Sequence, residues 1–240
     1  MEQDLDVYKE SNIYEYDNNI MMHYYPQRVI SLTNSRNTCL ELGIGHGYTT
    51  EIFSRYFCRH IALDGDRGII SRFKEKFPDV KTEIIETYFE AWDTEEAFDL
   101  IIMGFVLEHV EDPQAILNKY KELLKENGRI FITVPNAEAL NRRVGKEAGL
   151  LQALDALSDH DKRLGHKRYY TLKNILEECR NAGLKVVRQD GIFLKPLTTK
   201  QMLKMEFSEE VIKGFLAVGR EYPELSLGIL LEAVRDNYKT

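Results

Sequence analysis

Leu40-Glu41-Leu42-Gly43-Ile44-Gly45-His46-Gly47 is the stretch whose reading decides the fold. An apolar run, Thr38-Cys39-Leu40-Glu41-Leu42, meets three glycines at alternate positions, and a helical pattern begins near Tyr48. Glycines in such a bend let the backbone turn sharply and let a ligand approach without a Cβ in the way. The spacing is GxGxG, whereas folds that cradle a pyrophosphate use GxGxxG. Glu41, two residues ahead of the first glycine, would repel a diphosphate and attract a cationic ligand.

Outward from this bend, short β-rich runs alternate with helix-period segments. His60-Ile61-Ala62-Leu63-Asp64 reads as a second strand, and Asp64 lies twenty-one residues after Gly43. That is where a carboxylate accepts hydrogen bonds from a ribose diol. Lys81–Glu86 reads as a third strand. Phe98–Met103 is a fourth, nearly continuous in apolar residues, as a strand covered on both faces should be. Arg129–Val134 is a fifth, stopped by Pro135. In Pro113–Leu124 the apolar residues 116, 117, 120, 123 and 124 form one helical stripe, with Asp112 as its cap and Gly128 just past its end. This alternation predicts a doubly wound α/β architecture, a parallel sheet with helices on both faces. The pattern breaks over 136–168, a charged stretch read as an insertion over the carboxyl edge of the sheet. A helix (Leu172–Ala182) and a strand (Leu184–Gln189) follow. Gly228–Val234 could be an antiparallel edge strand or a helix.

Composition narrows the setting. The 240 residues include 13 Tyr and 11 Phe, enough to bury a sizeable core and exclude disorder. No stretch approaches the roughly 18–20 apolar residues a spanning helix needs. Met1–Asp6 is acidic and lacks an apolar region, so no secretory leader is expected. The net charge of −7 argues against general binding to nucleic acid or an anionic membrane. Cys39, Cys58 and Cys179 are far apart, with no metal-binding spacing, which suits free thiols in the cytoplasm.

The glycine bend, the acid before it and the strand-end acid together resemble the cofactor site of the class I S-adenosylmethionine-dependent methyltransferases. The likeness extends to Ala97–Val110, with its FDLI and LEHV stretches, and to Asn127–Asn136, which ends in TVPN. It is strong over about 36–136 and loose over 170–234. It implies a single domain over 1–240, built on a mostly parallel, seven-stranded Rossmann-like sheet whose last strand is antiparallel. Segments 136–168 and 198–227 would form a helical cap, and 1–30 an arm folding over the cofactor like a lid. S-adenosylmethionine would be the methyl donor and S-adenosylhomocysteine the product.

Residue by residue, the resemblance implies that Glu41 and the loop Gly43, Ile44, Gly45 and Gly47 hold the methionyl end. Asp64 would bind the ribose hydroxyls with Gly65 beside the adenine, and Thr87, Tyr88 and Phe89 would flank the base. Gly104 and Phe105 would line the floor, while His23 and Arg28 of the arm would cap the methyl or carboxylate end. One departure is plain: Glu86-Thr87-Tyr88-Phe89 carries no acid where many relatives grip the adenine amine. Each position also has a bland reading, as turn glycines, a helix cap at Asp64, core aromatics at 88 and 89, or an ordinary packing helix for the arm.

On the acceptor side, an oxygen nucleophile needs a proton acceptor, most often His. Ser158–Tyr170 crowds histidine, aspartate and tyrosine after the fifth strand, where open α/β sheets bind ligands. It looks like the corresponding stretch of methyltransferases acting on sugars, other small metabolites and quinone precursors. His160 is the first candidate base, oriented by Asp161, and His166 the second; a solvated loop and a closing turn are the alternatives. His109 is read as structural. Arg142 and Arg143, with Tyr169, would line a subsite for an anionic acceptor such as a sugar nucleotide or a phosphorylated or carboxylate metabolite. The expected activity is O-methylation of a small molecule. N-methylation of an amine and a cofactor-binding subunit without turnover are the alternatives. No metal, nucleic-acid or membrane partner is expected, and a homodimer is left open.

Overall fold

The computed structural model describes residues 13–236; the first twelve residues of the expected arm lie outside this range. Helix α1 (Glu15–Ser31) leads into β1 (Thr38–Leu42), α2 (Tyr48–Tyr56), β2 (Arg59–Asp64), α3 (Arg67–Lys76), β3 (Glu83–Glu86) and β4 (Phe98–Gly104). Then come α4 (Pro113–Lys121), β5 (Leu124–Pro135), α5 (Leu140–Glu147), α6 (Asp159–Arg163), α7 (Leu172–Asn181) and β6 (Leu184–Ile192). The chain closes through α8 (Thr199–Met205), α9 (Glu209–Glu221) and β7 (Gly228–Arg235). One seven-stranded sheet has the order β3-β2-β1-β4-β5-β7-β6. Every pairing is parallel except the two made by β7.

The period of two along a strand explains both layers. Leu40, Leu42, Ile101, Met103, Ile130, Ile132, Ile229 and Leu231 point to one face and pack with Ile116, Leu117, Tyr120 and Ile175 of α4 and α7. Cys39, Leu100, Ile102, Phe131 and Leu230 point to the other and pack with Met21, Tyr25 and Val29 of α1 and Phe53 of α2. Burial on both faces is why these strands read as continuous apolar runs.

Three expectations about elements need correction. The 228–234 run is an antiparallel strand, but not an edge: β7 lies between β5 and β6, leaving β3 and β6 outermost. Its carboxylate Glu232 is 5% exposed and accepts from Arg129 of β5 (2.8 Å) and Arg188 of β6 (3.0 Å). Helix α4 stops at Lys121 because Leu123 and Leu124 are drawn into strand pairing: the Leu123 carbonyl accepts from the Phe98 N–H at 2.7 Å, and Leu124 aligns with Phe98. Strand β5 therefore begins before its apolar part. The 136–168 insertion carries the short helices α5 and α6, and the β6–β7 connection carries α8 and the 13-residue α9.

Helix α9 approaches β6 so closely that neither side has room for a side chain. A Cβ on Gly191 would sit 2.2 Å from the Gly219 carbonyl oxygen, a backbone atom that cannot swing away. Gly191→Ala is therefore expected to destabilise the fold by about 1–3 kcal/mol through overpacking, lowering Tm by several degrees in a thermal melt.

Candidate active site

The carboxyl ends of β1, β2 and β4 open into a cavity of about 950 Å³, roofed by α1 and the cap. Its floor is the glycine bend. Gly43, Gly45 and Gly47 have φ of +81°, +52° and +83°, conformations that L side chains rarely adopt. At Gly47, the N-cap of α2, a Cβ would also meet the Phe73 ring at 2.6 Å. Asp64 locks this bend to the end of β2. Its Oδ2 accepts from the Ile44 N–H at 2.9 Å, and its Oδ1 accepts from the Asp66 N–H at 2.8 Å. Burial raises the Asp64 pKa, and these backbone donors oppose the rise. Asp66 in turn caps α3 through the N–H groups of Gly68 and Ile69, which leaves Asp64 on the cavity wall.

Most of the expected cofactor residues line this cavity: Gly43, Ile44, Gly45, Gly47, Asp64, Gly65, Tyr88, Phe89, Gly104 and Phe105. Tyr88 is 70% exposed, which rules out the core reading for it. Four of the expected residues lie off this wall. Glu41 is not on the wall; it is 1% exposed beneath the bend, where Oε1 accepts from Thr49 Oγ1 at 2.7 Å and Oε2 lies 3.3 Å from His60 Nε2. Its odd position in β1 points into the α2 layer, away from a ligand. Thr87 is turned out of the wall, its N–H donating to the Asp64 carbonyl at 2.9 Å. His23 sits on the outer side of α1, bonded to the Asn19 carbonyl at 2.8 Å and tilted against Tyr48. Arg28, five residues further along α1, pairs with Asp190 of β6 at 2.7 Å.

Helix α1 packs against the core on one side and faces the cavity on another. Met21, Tyr25 and Val29 are core, while Asp17, Asn18, Met21, Met22 and Tyr25 face the cavity. Asn18 Nδ2 lies 3.2 Å from His46 Nε2, joining this helix to the glycine bend. Desolvation pulls the His46 pKa down to about 4, with Lys76 and Arg72 adding to it, so its ring is neutral at pH 7. Tyr25 and Asn18 escaped the sequence reading because a helix with Pro26 inside it and little amphipathic contrast gives no sign of which face meets a ligand.

The acceptor end is built from the cap. His160, Asp161, His166 and Tyr169 all line the cavity. Ser158 and Asp161 form a capping box on α6: Asp161 Oδ2 accepts from the Ser158 N–H at 2.7 Å and from Ser158 Oγ at 2.6 Å. The other oxygen, Oδ1, accepts from Tyr169 Oη at 3.1 Å and lies 3.6 Å from His166 Nδ1. The acid expected to orient His160 thus faces His166 instead, because residues 160 and 161 leave a helix in different directions. His160 stacks on Tyr14 at 4.3 Å. Burial lowers the pKa of His166, with Asp161 opposing, so the free base prevails at neutral pH.

Arg142 also lines the cavity, its guanidinium 4.2 Å over the Tyr169 ring and bonded to the carbonyls of Leu154 and Ala156. Arg143 does not; it is exposed and pairs with Glu138 at 3.1 Å. His109, read as structural, reaches the wall and meets His166 edge-on at 4.7 Å. Burial and His166 pull its pKa down to about 3. No metal was expected, yet Glu108, His109 and His166 each bring a donor atom within 4.8 Å of the others, close enough to share a cation. Residues 108–109 and 166 are too far apart in sequence for a spacing motif to reveal them.

The wall suits S-adenosylmethionine in the chemistry of its donors, with a carboxylate for hydroxyls at Asp64, bare backbone at the bend, an exposed ring at Tyr88 and a half-buried one at Phe89. Comparison with known proteins agrees. Residues 17–189, more than two thirds of the chain, match a family described as a methyltransferase domain. A ubiquinone biosynthesis O-methyltransferase of Pseudoalteromonas translucida is 25% identical over 183 residues, covering 73% of this chain and 75% of that protein. One from Pasteurella multocida is 33% identical over 125 residues, 50% of this chain and 49% of that one. In fold, magnesium protoporphyrin IX methyltransferase from Synechocystis with bound S-adenosylhomocysteine has a TM-score of 0.64 at 14% identity, covering 96% of this chain and 91% of that one. The N-methyltransferase NodS from Bradyrhizobium japonicum, also with S-adenosylhomocysteine, scores 0.58 at 15% identity, covering 93% and 88%. The chain belongs to the class I S-adenosylmethionine-dependent methyltransferases, an enzyme with S-adenosylmethionine as its methyl donor.

Proposed function

We propose that this enzyme methylates a hydroxyl oxygen of a small metabolite, with His166 as the proton acceptor and Asp161 as the residue that steadies it. The observation that carries this reading is the Asp161–His166 approach of 3.6 Å on the cavity wall. When bound, the sulfonium supplies an already activated methyl group. What is left to the protein is to hold the acceptor in line, exclude water and take up the hydroxyl proton. His166 is free to accept that proton because burial keeps its ring neutral, and the charge it gains faces a carboxylate. Tyr169 and Ser158 hold that carboxylate in place from two sides. His160, the first candidate from sequence, ranks second, since its ring is stacked on Tyr14. The names of the curated relatives also favour oxygen as the target.

An anionic acceptor has weaker support than the sequence suggested. Arg143 is turned away, and Arg142 is already bonded to two carbonyls. The wall carries Asp17, Asp64, Asp66, Glu90, Glu108, Glu111 and Asp161 against Arg142, Lys167, Lys195 and Lys200. This acidic balance disfavours nucleic acid as well. Among the described residues no helix is long and apolar enough to cross a membrane. The free thiols of Cys39, Cys58 and Cys179 are in keeping with a cytoplasmic setting.

Two measurements test the reading. His166→Gln should lower kcat for hydroxyl acceptors by about 10²–10⁴-fold while S-adenosylhomocysteine still binds in calorimetry. Unchanged turnover would instead favour N-methylation, where an amine needs only to be neutral. In the wild type, kcat/KM should hold its plateau to below the ordinary histidine pKa and fall as pH drops through the lowered value, because protonation removes the base. Separately, Asp64→Ala should weaken S-adenosylhomocysteine binding by at least about tenfold, through loss of charge-assisted hydrogen bonds to the ligand and to the Ile44 N–H.

A further inference from the structure

A second polar cluster lies on the cavity wall, where α1 meets the segment after β6. Asp17, Lys195 and Thr199 are 5%, 3% and 4% exposed, and all three line the cavity. Lys195 Nζ donates to Asp17 Oδ2 at 2.5 Å and to Thr199 Oγ1 at 2.6 Å, and Thr199 Oγ1 donates to the same Asp17 oxygen at 2.6 Å. Asn141, also on the wall, joins through its backbone N–H, which donates to the Lys195 carbonyl at 3.2 Å. The cluster thus draws together α1, the start of α5 and the β6–β7 connection, three parts distant in sequence.

The hydrogen bonding within it is incomplete. Asp17 Oδ1 and Asn141 Oδ1 are buried and have no partner among the described residues. An ammonium has three N–H groups, and two of them are committed here. A buried ion pair is costly to assemble, and buried polar atoms left unpaired add to that cost. Rotation about the last torsion of Asp17 or Asn141, which is broad, turns these oxygens to a ligand in the cavity.

The group that completes the cluster must donate to the side-chain oxygens and accept from Lys195 at the same time. A carboxylate has no proton to give at neutral pH, and carboxylate and phosphate are both repelled by Asp17. A substrate ammonium can donate, but it cannot accept from Lys195 and is repelled by it. A hydroxyl does both.

We propose that Asp17, Asn141, Lys195 and Thr199 form a subsite that reads an uncharged hydroxyl on the acceptor, other than the one that is methylated. Asp17 and Lys195 then determine specificity by rejecting acids and amines at this position. The inference rests on reading the cavity as the site of O-methyl transfer, and it narrows the acceptor to a compound with at least two hydroxyls.

The test is binding of two matched probe series to the protein loaded with S-adenosylhomocysteine, measured by calorimetry. The first series is 3,4-dihydroxybenzyl alcohol, 3,4-dihydroxybenzoate and 3,4-dihydroxybenzylamine; the second is glucose, glucuronate and glucosamine. Within the series that binds, the alcohol should bind at least about tenfold more tightly than the acid or the amine. Asp17→Asn should narrow the gap to the acid, and Lys195→Met the gap to the amine, with S-adenosylhomocysteine binding as the check that each variant is folded. Equal binding of all three members, no binding by either series, or variants that shift all members alike would overturn the subsite. Methyl transfer to the same probes is scored separately: the alcohol preference without turnover would reject the O-methyl reading and still support the subsite.

Discussion

The site depends on one buried carboxylate. Asp64 holds the Ile44 N–H with one oxygen and the Asp66 N–H with the other, so two turns from separate βα units are pinned to one side chain. Only glycine at 43 and 47 lets the first turn follow that path, since φ there exceeds +80°. Burial raises the cost of charging Asp64, and the backbone donors offset it. The same geometry that satisfies the carboxylate also leaves it on the cavity wall. Asp66, not Asp64, caps α3; Asp64 instead ties the glycine bend to the end of β2 and faces the cavity.

The parts of the molecule legible in the sequence are those governed by local rules. Strands β1, β2, β4 and the apolar half of β5 are continuous apolar runs because both faces are covered. The glycine bend and Asp64 stand at a spacing that one βα unit imposes. What escaped depended on contacts between distant segments. Nothing near Leu184 or Gly228 says that β7 slips between β5 and β6; that follows from Glu232 meeting an arginine on each side. Glu41 was read as a ligand group because of its neighbours in sequence, but strand alternation turns it under the bend toward His60. Asp161 was assigned to its sequence neighbour His160, whereas the helical backbone of α6 hands it to His166, five residues on.

The acceptor side shows why cap segments resist sequence analysis. Helices α5, α6 and α8 are 8, 5 and 7 residues long, too short for amphipathic periodicity to mark an inner face. They are held by capping boxes and by side chains reaching carbonyls, such as Arg142 on Leu154 and Ala156. The two arginines expected to meet an anionic acceptor are occupied in this way or in a surface pair, Arg142 on two carbonyls and Arg143 on Glu138. A charge run in sequence thus became internal wiring in the folded cap, with a mostly acidic cavity beneath it.

The place of β7 governs how the molecule can be made. Strands β5 and β6 are not paired with each other; β7 pairs with Ile130–Pro135 of β5 on one side and with β6 on the other. Until residues 228–235 have left the ribosome, the Ile130–Val134 edge of β5 has no neighbour on that side, and β6 has no sheet to join. Between the synthesis of β5 and that of β7 a nascent chain therefore carries an open apolar border, the kind of border that invites pairing with a stranger. Residues 228–235 close both gaps with a single strand.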